Sequence, residues 1–156
     1  MWPSGLALAR ALPERLDGHR VVDLGCGLGV PALAAAARGA EVTAVDWAAD
    51  AIALLAENAA RNQLELQLVH EDWRSFSGSF DLVLGADLLY ERRNADALLN
   101  ALPGLAPEVL LAEPGRPPAA GFFTRAREEW RIEEIAKGLY RLRRATRAAR
   151  KARAGA

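Results

Sequence analysis

The sequence has little sulfur and few imidazole side chains. Cysteine occurs once among the 156 residues, at Cys26, and histidine occurs twice, at His19 and His70. A single cysteine excludes a disulfide within the chain, and so few sulfur and imidazole ligands argue against a zinc-type metal site. We therefore expect no resident metal, and we expect any cofactor to be organic.

Long hydrophobic runs are also missing. Hydrophobic residues make up 51% of the chain, yet no run approaches the roughly 18 residues that cross a bilayer. The first residues, MWPSGLALARALPERL, lack the basic region and the cleavage pattern of a secretory signal. We expect a soluble, cytoplasmic protein without a membrane partner, and a chain of this length is typical of one domain.

Charge is balanced in number but not in position. Residues 141–156 carry seven Arg or Lys and no acid, which leaves 13 basic and 20 acidic side chains in residues 1–140. An acidic body repels a polyphosphate backbone, so nucleic acid is a disfavoured partner. The basic tail, residues 145–156, keeps three partners open, namely nucleic acid, an acidic protein and the body of this chain, or it is only a solvated terminus.

Short apolar runs alternate with amphipathic stretches, a rhythm typical of a mostly parallel sheet covered by helices. Strands are predicted at residues 20–26, 41–47, 66–73, 80–86, 108–113, 130–137 and 139–143. Helices are predicted at residues 30–38, 48–62, 95–102 and 119–129, the third stopped by Pro103 and Gly104. The last two strands form a hairpin, so one terminal strand is antiparallel. The fold class is therefore α/β, a Rossmann-like doubly wound sheet of about seven strands in a domain of residues 1–144.

The stretch VVDLGCGLGV, residues 21–30, places three glycines directly after the first predicted strand. Dinucleotide-binding turns have the spacing G-x-G-x-x-G, but here the glycines alternate and Val30 stands at the position of the third. A carboxylate at Asp23 would meet a pyrophosphate at an unfavourable distance, whereas it suits a ligand with positive charge. The pattern favours a ligand with an ammonium, a sulfonium and a ribose but no phosphate.

This stretch resembles the first motif of class I S-adenosylmethionine (AdoMet)-dependent methyltransferases. The resemblance implies that Gly25, Gly27 and Gly29 pass under the methionine moiety of AdoMet, and that Asp23 orders its amino group. Between these glycines, Cys26 is interpreted as a small residue that fills the turn beside the cofactor, and a nucleophilic thiol is the alternative.

Acidic and aromatic residues follow the next two predicted strands. Asp46 ends the second strand, where a carboxylate accepts hydrogen bonds from both ribose hydroxyls, and Trp47 beside it is placed to cover the adenine. Asp72 and Trp73 end the third strand, where such enzymes contact the adenine amino group. Packing in the core is the alternative role for both rings.

The end of the fourth strand resembles one group within that superfamily. Asp87-Leu88-Leu89-Tyr90 is similar to the Asp-x-x-Tyr signature of seven-strand protein-lysine methyltransferases, the group of the electron-transfer-flavoprotein β-subunit enzyme and of nicotinamide N-methylase-like bacterial proteins. The resemblance implies that Asp87 binds and orients the acceptor amine, that Tyr90 bonds near it or walls the pocket, and that Ala86 contacts the cofactor. The alternatives are that Asp87 caps the next helix and that Tyr90 only packs.

Two further segments extend the resemblance. The first is Trp2-Pro3-Ser4-Gly5, similar to a Trp-x-x-Gly segment that precedes the first motif, which makes Trp2 a cofactor candidate within an N-terminal segment of residues 1–19. The second is Glu113-Pro114-Gly115-Arg116, similar to an Asp-Pro-Gly-Arg loop in which Glu113 replaces Asp. Because the match begins at Trp2, we expect an acceptor pocket that is open or is completed by another subunit.

The predicted function is an AdoMet-dependent N-methyltransferase, a transferase that releases S-adenosylhomocysteine and methylates a protein lysine. One alternative acceptor is a small pyridine or amine. An alternative of another class is a module that binds AdoMet or a partner without catalysis.

Overall fold

The computed structural model describes residues 3–145. Within this range the helices are α1 (Pro3–Ala11), α2 (Val30–Ala36), α3 (Ala49–Arg61), α4 (Arg92–Leu105) and α5 (Pro117–Ala126). The strands are β1 (Arg20–Leu24), β2 (Glu41–Asp46), β3 (Gln67–His70), β4 (Leu82–Ala86), β5 (Glu108–Ala112), β6 (Trp130–Ala136) and β7 (Leu139–Arg144). A single 3-10 turn, Leu88–Tyr90, joins β4 to α4.

The strands form one sheet in the order β3-β2-β1-β4-β5-β7-β6. The first five strands pair in parallel, and β7 pairs antiparallel with both β5 and β6. Strand order reverses between β1 and β4, and the carboxyl ends of strands beside such a reversal form a crevice in which doubly wound sheets bind ligands. The predicted α/β class and the antiparallel hairpin strand are confirmed, with β7 lying inside the sheet and β6 at its edge.

Alternate residues of the strands face two separate cores. On one face Val21, Ala44 and Leu84 pack with α1, α2 and the Leu55 side chain of α3. On the other face Val22, Val83 and Leu111 pack with α4 and α5. Both faces of β1, β4 and β5 are buried, which explains why these three strands are mostly apolar. The sheet is thereby held rigid beneath the loops at its carboxyl end.

One predicted boundary is wrong. Helix α4 continues through Pro103 and Gly104 to Leu105, although proline removes one backbone hydrogen bond. Leu102 and Leu105 are buried on the same face of the helix, so burial of the last turn offsets the missing bond.

The remaining elements differ from the prediction by a few residues at their ends, as is usual for helix and strand boundaries. None of the helices in residues 3–145 is long and apolar enough to span a bilayer. Most of the predicted basic tail lies outside the described residues, and so does Trp2.

Candidate functional site

A cavity of about 660 Å³ lies at the carboxyl ends of β1, β2 and β4, within the usual range of about 300–1,000 Å³ for small-molecule sites. The predicted site residues that line it are Asp23, Gly25, Cys26, Gly27, Gly29, Asp46, Trp47, Trp73, Ala86, Asp87 and Tyr90. Residues from three strand ends meet here because parallel strands deliver their carboxyl ends to one edge of the sheet.

Two glycines of the turn after β1, Gly27 and Gly29, serve different purposes. A Cβ atom on Gly29 would lie 2.2 Å from Leu55 Cδ1, so this glycine lets the turn pack on α3. A Cβ atom on Gly27 would meet nothing within 4 Å. Both residues have positive φ, 73° at Gly29 and 52° at Gly27. Gly27 therefore presents bare backbone to the cavity, which allows a ligand to approach the main chain.

Asp46 holds the glycine turn through its carboxylate. One oxygen, Oδ2, accepts the backbone N–H of Gly27 at 2.8 Å, and Oδ1 accepts that of Ala48 at 2.9 Å. Each carboxylate oxygen has two acceptor sites, so capacity for ligand hydroxyls remains. Besides the predicted ribose contact, Asp46 has a structural role that joins the first two strand ends.

Asp23 lies deeper, with 1% of its surface exposed. Its Oδ2 accepts the backbone N–H of Ala32 at 3.1 Å. Desolvation by burial, with a smaller contribution from the charge of Asp46, raises the pKa of Asp23 to about 8. A cationic ligand group beside this carboxyl would favour its ionised form.

Cys26 is buried between the glycines, and its backbone N–H donates to the carbonyl of Val45 at 3.0 Å. Burial, and then the neighbouring carboxylates, raise the pKa of its thiol above the ordinary value. A thiol that stays protonated is a poor nucleophile, so the structure favours the filling role over the nucleophilic one.

The two tryptophans lie in contrasting settings. Trp47 is 66% exposed at the mouth of the cavity. Trp73 is buried in the core on the side of α4 and α5, and its ring lies 3.5 Å from the position of a Cβ on Gly25. Trp47 is therefore free to cover a ligand, whereas Trp73 forms part of the floor beneath the turn.

Asp72 is not among the residues that line the cavity. Its carboxylate binds the guanidinium of Arg74, with Nη2 2.7 Å from Oδ2 and Nε 2.9 Å from Oδ1. This pairing holds the pKa of the Asp72 carboxyl below its ordinary value. Arg74 also donates to Asn94 Oδ1 at 3.2 Å, so Asp72 anchors a loop to α4 rather than lining the predicted adenine position.

Asp87 follows β4 in a left-handed conformation, with φ 59° and ψ 28°. Its side chain makes no capping hydrogen bond to the following turn, which contradicts the capping alternative. Oδ1 binds Nη1 of Arg116 at 2.5 Å, and Oδ2 is buried with no hydrogen-bond partner. Tyr90 is 51% exposed and lines the same cavity, so it is not a core-packing residue.

Several residues of the site were given no role from the sequence. Arg116 lines the cavity, and so do Leu28 and Leu54, both exposed leucines. Asn94 is 1% exposed and donates its Nδ2–H to the Leu88 carbonyl at 3.0 Å, which fixes the turn that carries Tyr90. The burial of Asn94 was not predicted, because it lies among polar residues at the start of α4 and the local sequence does not distinguish a buried amide from a solvated one.

Comparison with known proteins agrees with this geometry. Residues 21–106 match the family described as methyltransferase domain. The chain is 39% identical over 127 residues to the electron transfer flavoprotein beta subunit lysine methyltransferase of Danio rerio, covering 74% of this chain and 48% of the relative. The Rattus norvegicus protein of the same name is 34% identical over 131 residues, covering 77% and 51%.

Among solved structures, magnesium protoporphyrin IX methyltransferase from Synechocystis PCC 6803 with bound SAM superposes with a TM-score of 0.78 at 16% identity, covering 90% of this chain and 76% of that one. At such identity the likeness concerns the fold alone. The chain spans about half the length of the curated relatives it matches. The family match extends from β1 through α4 and so includes the glycine turn and the Asp87 turn. This chain belongs to the methyltransferase domain family.

Proposed function

We propose that the chain is an AdoMet-dependent methyltransferase whose acceptor is the side-chain nitrogen of a protein lysine. One observation carries the choice of acceptor. On the cavity wall, Asp87 has one oxygen held by Arg116 and a second, buried oxygen without a partner. A buried carboxylate oxygen without a donor is costly to leave unsatisfied. An incoming N–H group would satisfy it.

The residues of the cavity fit AdoMet. The bare backbone of Gly27 admits a ligand, and no phosphate-binding cation lies on the glycine turn. The acidic side chains of Asp23 and Asp46 provide oxygens for a ligand that carries an ammonium and a sulfonium. Asp23 becomes negatively charged when a cationic ligand group displaces its proton. The exposed ring of Trp47 offers an apolar face at the mouth for the adenine.

Bound AdoMet supplies a methyl group made electrophilic by its sulfonium, so the tasks left to the protein are binding and alignment. The glycine turn and Asp46 hold one reactant, and Asp87 holds the other. In-line alignment of two bound reactants contributes up to about 7–11 kcal/mol to lowering a barrier. The short 3-10 turn places Asp87 and Tyr90 on the same wall.

Asp87 orients the amine rather than deprotonating it fully. Free lysine has a pKa of about 10.4, so its neutral form costs roughly 4–5 kcal/mol at pH 7. A carboxylate favours the charged ammonium and therefore does not lower that cost by itself. The proton leaves to solvent at the open mouth, where Tyr90 is half exposed, and Asp87 keeps the nitrogen in line.

A protein acceptor is favoured over nucleic acid by charge. The body carries 20 acidic and 13 basic side chains in residues 1–140, which opposes a broad phosphate footprint. The relatives from Danio rerio and Rattus norvegicus, both named as lysine methyltransferases, support the same choice.

The test is incubation with methyl-labelled AdoMet and a lysate of the source organism, divided into protease-treated, nuclease-treated and small-molecule fractions. We expect a labelled macromolecule that protease removes and nuclease does not. Label lost on nuclease treatment, or label only in the small-molecule fraction, would contradict a protein acceptor. Failure of AdoMet to bind in a calorimetric titration would contradict the cofactor as well.

A further inference from the structure

Arg116 is joined to the proposed acceptor site by one short ion pair. Its Nη1 lies 2.5 Å from Asp87 Oδ1, and both side chains are largely shielded, 29% and 16% exposed. Pairing at this depth is less screened by solvent than pairing on the surface. The ion pair therefore holds the Asp87 carboxylate in one orientation.

The loop that carries Arg116 is itself held by a buried acid. Glu113 is 1% exposed, and its Oε1 accepts the backbone N–H groups of Gly115 at 3.1 Å and Arg116 at 2.8 Å. Its other oxygen, Oε2, lies 3.6 Å from Arg116 Nη1. Gly115 has φ 94°, a conformation that favours glycine. Glu113 and Gly115 together set the direction in which Arg116 leaves the loop.

Within the described part of the chain, the pair with Arg116 is the one hydrogen bond or ion pair found for the Asp87 side chain. Its backbone N–H donates to the carbonyl of Ala112 at 2.9 Å, which ties the main chain to the end of β5. The carboxylate makes no bond to the turn that follows. Orientation of the carboxylate about its side-chain bonds thus depends on the guanidinium.

We propose that Arg116 is a positioning residue that acts through Asp87, holding Oδ1 so that the unpartnered Oδ2 is presented to the acceptor nitrogen. This inference rests on the proposed function. Glu113 also contributes to the charge of the site. Asp87 and Glu113 both lie beside the one guanidinium of Arg116, so this wall of the cavity has a net negative charge. A cationic acceptor is then attracted even though an arginine lines its site.

The chain offers a matched control for this pair. Arg125 on α5 pairs with Asp96 on α4, and these two residues are also 29 positions apart in sequence. They are exposed, 56% and 57%, and neither lines the cavity. Arg125→Gln therefore removes the same charge and the same kind of contact without touching the site.

The experiment compares Arg116→Gln, Arg116→Lys and Arg125→Gln in crystal structures and in steady-state turnover. In Arg116→Gln we expect the Asp87 carboxylate to rotate and kcat to fall about 10- to 100-fold, since small misplacements of a reactant cost this much, with the Kd for AdoMet unchanged within about twofold. Arg116→Lys recovers part of kcat, because an ammonium pairs as a point charge without the guanidinium fork. Arg125→Gln matches the wild type.

A double-mutant cycle separates positioning from any independent role of Arg116. If Arg116 acts through Asp87, adding Arg116→Gln to Asp87→Asn changes kcat by less than about twofold. Multiplied effects, or an unmoved Asp87 carboxylate in Arg116→Gln, would overturn the inference. A carboxylate that moves in a protein whose wild type labels no lysine would uphold the positioning and contradict the proposed acceptor instead.

Discussion

Two acidic side chains at the glycine turn are both buried but differ in the hydrogen bonds that they accept. Asp46 accepts two backbone N–H groups at the edge of the cavity, whereas Asp23 accepts one and is enclosed. Enclosure opposes ionisation of an acid, and at Asp23 it outweighs the single hydrogen bond that the carboxyl accepts. Asp23 therefore keeps its proton near neutral pH, and a cationic ligand group would displace that proton on binding.

The raised pKa of Asp23 predicts a pH dependence of folding stability. The folded protein holds this proton up to a pKa of about 8, against an ordinary pKa of 3.8. The folded state thus binds more protons between these values, so the stabilisation present at low pH is lost as pH rises through that interval. Asp23→Asn removes the loss, and at pH 8 it is expected to raise the free energy of unfolding by a few kcal/mol, since one pKa unit corresponds to about 1.4 kcal/mol.

Thermal unfolding of the ligand-free protein between pH 5 and pH 9 checks this expectation. Asp81→Asn is the matched control, because Asp81 also accepts a backbone N–H, from Arg20 at 2.8 Å, but is exposed. The control keeps the wild-type slope. Equal slopes for wild type and Asp23→Asn would show that Asp23 is ionised in the ligand-free protein and would contradict this expectation.

Residue identities at the site were predictable only where strand order alone determines position. Asp23 is next to the last residue of β1, Asp46 ends β2 and Asp87 follows β4. Because these strands are parallel, the topology brings the three residues together whatever the loops do. Asp72 follows the end of β3 by two residues, but the loop directs its side chain to Arg74. Loop conformation has no periodic pattern in the sequence, so this contact was not predictable. Arg116 was recognised within a motif. Its pairing with Asp87, 29 residues away, could not be predicted from the sequence spacing.

At the scale of elements, the turn between β1 and α2 has one glycine that serves folding, Gly29, and one that serves ligand binding, Gly27. Gly29→Ala would force a Cβ to within 2.2 Å of Leu55 Cδ1 in a residue with positive φ, and we expect a loss of about 2–4 kcal/mol of stability from overpacking and strain. Gly27→Ala meets no atom within 4 Å, so only the conformational cost of about 1–2 kcal/mol remains.

Gly27→Ala, the substitution with the smaller effect on stability, should have the larger effect on ligand binding. Gly27→Ala places a methyl group on the bare backbone facing the cavity, and we expect the Kd for AdoMet to rise at least about tenfold, or 1.4 kcal/mol. Gly104→Ala in α4, where a Cβ also meets no atom within 4 Å, is the control, with a gain of about 0.5–1 kcal/mol in stability and unchanged Kd. Denaturant unfolding and calorimetry measure both quantities, and an unchanged Kd in Gly27→Ala would contradict this placement of the ligand.

Element boundaries show why the fold was more predictable than its details. The alternation of buried strands and amphipathic helices follows from a sheet covered on both faces, so seven strands and the terminal hairpin were predicted correctly. Pro103 and Gly104 are strong local stop signals, yet α4 passes through both. The buried Leu102 and Leu105 decide that boundary, and their burial depends on tertiary packing that local propensity does not contain.

At the scale of the whole molecule, the acidic charge and the open cavity bear on the proposed protein acceptor. The body of residues 1–140 carries seven more acidic than basic side chains, and the mouth of the cavity is edged by exposed Trp47, Leu54 and Tyr90. A lysine beside apolar residues on another protein matches both features. The domain division at residue 144 and the cytoplasmic location stay predictions.

The most direct measurement is identification of the methylated atom. Protein labelled from AdoMet by the wild type is hydrolysed to amino acids, and the products are separated against methylated standards, with Asp87→Asn in parallel. We predict label in methyl-lysine, reduced at least about tenfold in Asp87→Asn, which loses the charged contact to the acceptor. Label on another amino acid, or full labelling by Asp87→Asn, would contradict a lysine acceptor oriented by Asp87.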